Sequence, residues 1–360
     1  MDSSTVPGDP APAPVFVLTS SRGFPGWLAA TGGSLAFTTY QAGKIFLLGL
    51  QPDGSLSVFD RSFPRAMGLA VSPDSRTLYL ATQAQLYRFD NILPHGARQG
   101  RHDAVYGPHQ SWITGDLDIH DVGIAADGRP VFVNTLFNCL ATVADGFSFR
   151  PLWRPPFITR LAAEDRCHLN GMAMEQGVPR YVTCLSRSDV VDGWRDRRAD
   201  GGIVMDVATG AVVAEGLSMP HSPRLYQGRL WLLNSGEGQF GWIDPASGAF
   251  HPVAFCPGFA RGLAFCGRYA IIGLSNAREN RTFNELGLDR TLREKASTAR
   301  CGLLVVDLET GDTVEWVRIE GVVRELFDIA VLPGVVSPSL IGLKGTEIQR
   351  MLSIDDDVPG

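Results

Sequence analysis

The chain has 360 residues, of which 44% are hydrophobic and 19% are charged, and its formal net charge is −6. This acidic balance argues against a nucleic-acid partner, which would require a basic surface. The six cysteines show no metal-binding spacing, and we expect them to be reduced, which favours a cytoplasmic protein. No apolar run reaches the roughly 20 residues that span a bilayer, and residues 1–14 lack the basic and apolar regions of a signal peptide, so we expect no membrane partner.

After a lead-in that we expect to be disordered (residues 1–13), one kind of segment recurs along the whole chain. Each copy contains short β-rich runs separated by Gly, Asp, Asn or Pro, which is typical of consecutive antiparallel strands. Regular recurrence of such a unit predicts a repeat architecture. The copies begin at Phe24, Arg65, His120, His168, His221, Phe259 and Glu325. We therefore predict an all-β fold, a single β-propeller over residues 14–354 with a tail at 355–360.

The number of blades follows from the number of copies. Seven segments predict seven blades of four antiparallel strands each. The last copy is short, so we expect the strand at residues 15–18 to complete that blade and close the ring. The copy at Phe24 is the weakest, because the sequence after it (GWLAATGG, 26–33) suits a helical turn equally well. Without this copy the propeller has six blades.

Three successive copies begin with a histidine, namely His120, His168 and His221. If the copies are blades, these side chains converge near the central axis. Imidazole ligands suit zinc, copper and iron, and three of them leave coordination positions open for water or substrate. The pattern therefore predicts one divalent transition metal in a central funnel. The alternative is that these polar side chains only bridge neighbouring blades through water. Two neighbours, Asp121 and Asn170, are candidates to orient these ligands, and Asp121 is also a candidate catalytic group.

Charged residues begin other copies of the repeat. Arg65 starts the second copy, and Arg261 lies two residues after Phe259, so both side chains are expected in the funnel. Paired guanidinium groups suit a carboxylate or phosphate of a substrate. Glu325 is a candidate ion-pair partner for them, a fourth metal ligand or a general base.

The loops between the second and third strands of each blade should open on the same face of the propeller. Two long charged inserts, at 187–201 and 277–300, fall in such loops and predict a rim over the funnel. Further candidates for substrate contacts are Tyr40, Gln41, Lys44, Asn134, Asn138, Asn234, Glu237, Asn280 and Arg281.

Several short motifs together resemble a family of uncharacterised bacterial conserved hypothetical proteins with propeller-like sequences. The segments that carry the resemblance are TTYQAGK (38–44), RAMGL (65–69), IHD (119–121), VNTLFNCLA (133–141), HLNGMA (168–173), MPHSPR (219–224), LNSGEG (233–238) and ENRTF (279–283). They extend over nearly the whole chain. The resemblance implies a propeller fold and a site formed by these motifs, and it does not imply a reaction.

Three functions remain compatible with the sequence. The first is a metal-dependent enzyme, an oxidoreductase or else a lyase or hydrolase, that acts on an anionic small molecule or peptide. The second is a non-catalytic propeller that binds a peptide or protein through rim residues such as Trp194 and Phe283. The third is a metal-free lyase in which one histidine is the base and Arg65 and Arg261 stabilise an oxyanion.

Overall fold

A computed structural model describes residues 16–276 and 286–354 of the chain. The predicted lead-in (1–13), the predicted tail (355–360), Phe283 and the candidate residues Asn280 and Arg281 lie outside the described residues. Within the described ranges there are 26 β-strands and two α-helices. Neither of these helices has the length and apolar character needed to cross a membrane.

The strands and helices follow the chain in a regular order. The first elements are β1 (Val17–Ser20), α1 (Phe24–Thr31), β2 (Gly33–Thr39), β3 (Lys44–Leu50), β4 (Leu56–Ser62), β5 (Leu69–Val71), β6 (Thr77–Ala81), β7 (Gln85–Asn91) and β8 (Ala104–Ile113). The middle elements are β9 (Ile119–Ile124), β10 (Pro130–Asn134), β11 (Cys139–Ala144), β12 (Phe147–Trp153), β13 (Leu169–Glu175), β14 (Val178–Cys184), β15 (Gly202–Asp206), β16 (Val212–Leu217), β17 (Pro220–Tyr226), β18 (Arg229–Asn234), β19 (Gln239–Ile243) and β20 (Phe250–Phe255). The last elements are β21 (Phe259–Cys266), β22 (Tyr269–Ser275), α2 (Gly287–Glu294), β23 (Gly302–Asp307), β24 (Thr313–Glu320), β25 (Ile329–Pro333) and β26 (Pro338–Leu340).

These strands form six sheets, which are the blades of a β-propeller, each with four antiparallel strands. Strand β26 adds to the outer edge of one of them, parallel to β8. Blade 1 contains β25, β2, β3 and β4, and blades 2 to 6 contain β5–β8, β9–β12, β13–β16, β17–β20 and β21–β24. The innermost strands contact one another in a closed cycle, from β25 through β5, β9, β13, β17 and β21 back to β25. The predicted propeller is therefore confirmed, with the alternative count of six blades rather than seven.

The seventh predicted blade disappears because the first and last copies of the repeat combine. The Phe24 copy starts with helix α1, which has Pro25 in its first turn and ends at Gly32 in the left-handed conformation, so it supplies no innermost strand. Strand β25, from the last copy, pairs with β2 and fills that place. Strand β1 pairs with β24 as an additional outer strand of blade 6, which differs from its predicted role in a seventh blade.

Burial along the strands explains why these sequences form blades. All seven residues of β2 are buried, whereas the outermost strand β12 is exposed along most of its length. Neighbouring blades pack through apolar side chains, as between Val133 of blade 3 and Met172 of blade 4. Burying such side chains removes apolar surface from water, which is the dominant favourable contribution to folding. The polar residues that remain buried are therefore concentrated near the axis and at the strand ends.

Candidate functional site

Four residues that precede the innermost strands share an unusual backbone conformation. Arg65, Asp118, His168 and Met219 all have φ between 48° and 53°. Residues other than glycine rarely adopt this left-handed region, and such positions are concentrated at functional sites. The common conformation identifies them as equivalent positions in blades 2, 3, 4 and 5.

Hydroxyl groups that link one blade to the next extend this equivalence to blades 6 and 1. In each case a side chain donates a hydrogen bond to a carbonyl of the next innermost strand. The pairs are Thr135 Oγ1 to Leu169 O at 2.6 Å, Ser235 Oγ to Ala260 O at 2.7 Å and Ser275 Oγ to Leu326 O at 3.2 Å. Because Leu169 follows His168, the residues equivalent to His168 are Phe259 and Glu325. The six positions, here named the first ring, are Arg65, Asp118, His168, Met219, Phe259 and Glu325.

A second ring lies two residues further along each strand. Side chains alternate along a strand, so residues two apart point to the same side. This second ring consists of Met67, His120, Asn170, His221, Arg261 and Phe327. The prediction that Arg261 faces the funnel agrees with this placement.

The predicted equivalence of the three histidines is wrong for His168. His120 and His221 belong to the second ring, and the ring nitrogen Nδ1 of each lies close to the carbonyl oxygen of the residue two positions earlier. His168 belongs to the first ring, and the second-ring residue of its blade is Asn170. The Asn170 side chain instead links Thr183 to the carbonyl of Pro220.

Both rings open into a cavity of about 250 Å³ on the propeller axis. The three histidines still meet there, since the rings of His120 and His168 are 4.8 Å apart. The residues that line the cavity are Tyr40, Arg65, Met67, Asp118, His120, Asp165, His168, Trp194, Arg195, Met219, His221, Arg261 and Phe327. At this volume the cavity suits a ligand smaller than a typical drug molecule.

Hydrogen bonds fix the orientation of His120 and His221. His120 Nδ1 is 3.0 Å from the carbonyl oxygen of Asp118 and 2.9 Å from Thr135 Oγ1, whose own proton is donated to a carbonyl. His221 Nδ1 is 2.8 Å from the carbonyl oxygen of Met219. These acceptors require the proton on Nδ1 in both rings. The Nε2 atoms are then hydrogen-bond acceptors.

Both of these histidines are neutral at physiological pH. Burial lowers the pKa of His120 to about 3, although the nearby Asp118 carboxylate acts in the opposite direction. Burial, together with the Arg261 guanidinium, also holds the pKa of His221 well below its usual value. For Asp118 itself burial opposes ionisation, but the guanidinium groups of Arg65 and Arg261 are among the groups that outweigh it and lower the pKa of this carboxyl group. Two neutral imidazoles therefore lie between charged groups.

His168 has a different partner, a carboxylate. Its Nδ1 is 2.8 Å and 3.0 Å from the two oxygens of Asp165. Trp194, from the first insert, donates a hydrogen bond from Nε1 to Asp165 Oδ2 at 2.9 Å, and its ring lies 4.3 Å from that of His168. Among the described residues, Nε2 of His168 has no hydrogen-bond partner. This arrangement orients an imidazole with one nitrogen available to a ligand.

Two predicted arginines line the cavity on the side of blades 2, 1 and 6. Arg65 forms ion pairs with Asp116 and Asp118, each at 2.8 Å. The Arg261 guanidinium lies 4.2 Å from the centre of the Phe327 ring, and its Nη2 is 3.4 Å from Nε2 of His221. With Arg195, three arginines and two aspartates line the cavity, so its charge favours an anion.

Asp121 and Glu325 do not belong to this cavity. Asp121 is the residue after His120 and points to the other side of β9, where Arg224 binds both of its oxygens at 2.7 and 3.1 Å. Asp328 lies 3.6 Å from the same guanidinium. The predicted role of Asp121 as a partner of His120 is therefore wrong, because alternation along the strand separates the two side chains. Glu325 is half-buried in the first ring and does not line the cavity.

Most of the predicted loop residues have structural partners elsewhere. Among the members of that set that the structure describes, only Tyr40 lines the cavity, with its ring 6.0 Å from that of Phe327. The other described members bind backbone groups or neighbouring side chains. Gln41 accepts from Arg324 N, Lys44 pairs with Asp60, Asn134 accepts from Phe137 N, Asn138 from Cys167 N, Asn234 from Ser218 N, and Glu237 lies 3.6 Å from Arg290.

Several cavity residues were not found from the sequence. Met67, Met219 and Phe327 are apolar and carry no chemical signal. Asp165 lies three residues before His168, and this spacing was the available indication of a carboxylate–imidazole pair. The other cavity residues that the sequence did not indicate are Asp118 and Arg195. Trp194 was predicted, but only as a residue of the rim.

The predicted metal stays a prediction. Within residues 16–276 and 286–354, no group of three or more His, Cys, Asp or Glu side chains is arranged to hold a metal ion. One reason is the placement of His168 in the other ring. Another is the Arg261 guanidinium beside Nε2 of His221, because a cation at that nitrogen opposes the binding of a second one.

Comparison with solved structures places the chain among propellers. A chain of the nidogen–laminin complex aligns with a TM-score of 0.54 at 14% identity, covering 84% of this chain and 99% of that one. TolB from Acinetobacter baumannii has a TM-score of 0.46 at 12% identity, with 85% and 67% covered. Catalytically inactive virginiamycin B lyase from Staphylococcus aureus with quinupristin has a TM-score of 0.40 at 11% identity, with 84% and 99% covered. At 14% identity, the similarity to the chain of the nidogen–laminin complex shows the fold alone.

No curated protein matches the sequence. One family model does match, over residues 22–341, which include all six blades. The resemblance to an uncharacterised family agrees with this match at the level of the family. The chain belongs to the family described as a domain of unknown function, DUF4915.

Proposed function

We propose that the axial cavity is the active site of a metal-free lyase, in which His168 removes a proton from a small anionic substrate. The observation that carries this proposal is the Asp165–His168 pair, whose Nδ1 contact leaves Nε2 available in a cavity that three arginines also line. A carboxylate bound to one imidazole nitrogen fixes the tautomer in which the other nitrogen is a base.

The arginines supply the complementary part of this chemistry. A substrate carboxylate bound at Arg65 and Arg261 would place the adjacent carbon near the middle of the cavity. When His168 Nε2 takes the proton from that carbon, the electron pair moves into the carboxylate, whose additional negative charge the guanidinium groups stabilise. Expulsion of a leaving group from the next carbon then completes an elimination, with the proton remaining on His168.

Neutral His120 and His221 complete the site as hydrogen-bond acceptors. Their Nδ1 protons are committed to backbone carbonyls. Nε2 of His221 lies 3.4 Å from Arg261 Nη2, so Nε2 of His120 is the atom that accepts from a hydroxyl or amine group of the substrate. The substrate would therefore carry such a donor as well as its carboxylate. A hydroxy or amino acid has both groups.

Deuterium exchange tests the proposal even while the substrate is unidentified. The protein would be incubated in D2O with mixtures of hydroxy and amino acids, and mass spectrometry would detect deuterium next to the carboxylate as well as elimination products. We expect His168→Asn to reduce the rate on the order of 10²- to 10⁴-fold. His95→Asn is the matched control, because His95 is exposed and remote from the cavity.

Two results would redirect the proposal. Acids that raise the melting temperature but never exchange or eliminate would indicate a binding propeller without catalysis. About one equivalent of transition metal in untagged protein, lost in His168→Asn, would instead support the three-histidine metal site.

A further inference from the structure

A second cavity lies between blades 5 and 6, away from the propeller axis. Its volume is about 550 Å³, within the range that small-molecule sites occupy. Strands β22, β23 and β24 form one side, and the end of β20 with the segment after α2 forms the other. The residues involved do not overlap with those lining the axial cavity.

The walls of this cleft are apolar. Leu274 and Leu304 lie on the blade 6 side, 2% and 8% exposed. Two aromatic side chains flank them, Phe255 from blade 5 and Trp316 from blade 6. Trp316 is 40% exposed, so its ring is available to stack on a ligand.

Three cations line the same cleft. They are Lys295, Arg300 and Arg318, whereas no aspartate or glutamate is among the described lining residues. Nζ of Lys295 lies 5.3 Å from the centre of the Phe255 ring, and the carboxylate nearest to Arg318 is that of Glu320 at 4.0 Å. In the described part of the chain, neither Lys295 nor Arg300 has an ion-pair partner. Such a concentration of positive charge is unusual in a protein whose net charge is −6.

We propose that this cleft binds an amphipathic anion, a small molecule with an aromatic body and one carboxylate or phosphate group. The body packs between Phe255 and Trp316, where aromatic pairs gain from stacking beyond burial of apolar surface. The anionic group binds Lys295, Arg300 and Arg318 through charge-assisted hydrogen bonds.

The dye 8-anilinonaphthalene-1-sulfonate is a direct probe, because it combines an aromatic body with one anionic group. N-phenyl-1-naphthylamine, which has the same ring system without the sulfonate, is the neutral counterpart. We expect the folded protein to bind about one equivalent of the anionic dye and to bind the neutral one at least about tenfold more weakly. Equal affinity for the two dyes would contradict a role for the cations.

Substitutions locate the bound dye. The double variant Lys295→Gln and Arg300→Gln should weaken the anionic dye at least about tenfold. The exposed pair Lys344→Gln and Arg98→Gln removes the same charges elsewhere and should have no effect. Trp316→Leu keeps an apolar side chain but removes stacking, and it should weaken the dye while circular dichroism confirms the fold.

A variant of the axial cavity separates this site from the proposed active site. Arg261→Gln should leave the affinity for the anionic dye unchanged, and a loss of binding there would overturn the proposal by moving the dye to the axis. Displacement by phenyl phosphate or by benzoate then identifies the preferred anionic group. Displacement by inorganic phosphate at the same concentration would contradict the requirement for an aromatic body.

Discussion

Two buried polar clusters lie next to each other on the propeller axis, and they are built from neighbouring residues of the same strands. His120 and Phe327 face the axial cavity, whereas Asp121 and Asp328 bind Arg224 on the other side. In the second cluster the acceptors are saturated: the backbone N–H of Met172 also donates to Asp121, and those of Leu69 and Ile329 donate to Asp328. In the first, the Nε2 atom of His168 has no partner in the described residues.

This difference distinguishes the buried polar groups that stabilise the fold from those that are available to a ligand. A buried charge costs free energy unless hydrogen bonds and opposite charges compensate it. Around Arg224, two buried carboxylates share one guanidinium and four backbone N–H groups, and this cluster links three blades. Burial and the Asp121 carboxylate nevertheless raise the pKa of Asp328 to about 7. Where a nitrogen is oriented but not bonded, as at His168, the geometry is prepared for a ligand. The following predictions test this division, from the largest expected effect to the smallest.

Arg224→Met should have the largest effect on stability. It leaves Asp121 and Asp328 as two buried carboxylates without their cation, and we expect a loss of about 3 to 5 kcal/mol in the free energy of unfolding. Urea denaturation at pH 7 measures this value, and Arg98→Met on the surface is the control. A loss below about 1 kcal/mol, the value typical of an exposed pair, would show that the cluster is not the structural element that we describe.

The stability of the wild-type protein should depend on pH through His120. Its pKa is about 3 in the folded protein and near 6.5 in the unfolded chain, so the unfolded chain binds more protons between these values. Through His120 alone, stability should therefore fall as the pH decreases from 6.5 towards 3, by up to about 1.4 kcal/mol for each pH unit. Asp328 acts in the opposite direction, because burial and the Asp121 carboxylate raise its pKa from 3.8 to about 7, so the folded protein binds the extra proton at this group between these values.

Unfolding of His120→Asn between pH 7 and pH 4 checks this assignment. The slope of stability against pH should be more negative than in the wild type, by up to about 1.4 kcal/mol for each pH unit, because the group that takes up a proton on unfolding is gone and Asp328 remains. An unchanged slope would mean that other groups, such as Asp118, account for the acid sensitivity. His95→Asn again provides the comparison.

Asp165→Asn should disturb the proposed active site more than the fold. An amide does not hold the Nδ1–H tautomer as a carboxylate does, so we expect the exchange rate to fall about 10- to 100-fold. Nitrogen-15 NMR of the histidines should show a change of tautomer at His168. A rate equal to that of the wild type would remove Asp165 from the mechanism.

Lys44→Gln should have the smallest effect. The ion pair between Lys44 and Asp60 is partly exposed, with side chains 30% and 41% accessible, and such pairs contribute about 0 to 1 kcal/mol. We expect no change in deuterium exchange, since Lys44 does not line the cavity. A large loss of exchange would restore Lys44 to the active site, where the sequence predicted it.

The β-propeller fold could be predicted from the sequence because each repeat contains local signals, namely short apolar runs and turn residues. The number of blades depended on something non-local, the pairing of β25 with β2 across the whole chain. Both segments read as starts of separate units, since no local feature of either one indicates that they share a sheet.

The site was predicted in part for a similar reason. The sequences that start at His120 and His168 both have the spacing His-x-x-Gly, with Gly123 and Gly171, and this suggested equivalent positions. The backbone conformation shows that His168 corresponds to Asp118 instead. A two-residue shift of this kind preserves the hydrophobic alternation of the strand, so the apolar pattern does not reveal it.

The pairing that closes the ring also has a consequence for synthesis of the protein. Strands β2, β3 and β4 are synthesised long before β25. The inner edge of β2 therefore has no pairing partner until β25 has been synthesised. An uncovered strand edge pairs readily with other chains. All seven residues of β2 are buried in the final structure, and none of them carries a charge that would discourage such pairing. During synthesis, blade 1 therefore presents an unpaired and uncharged strand edge until β25 has been made.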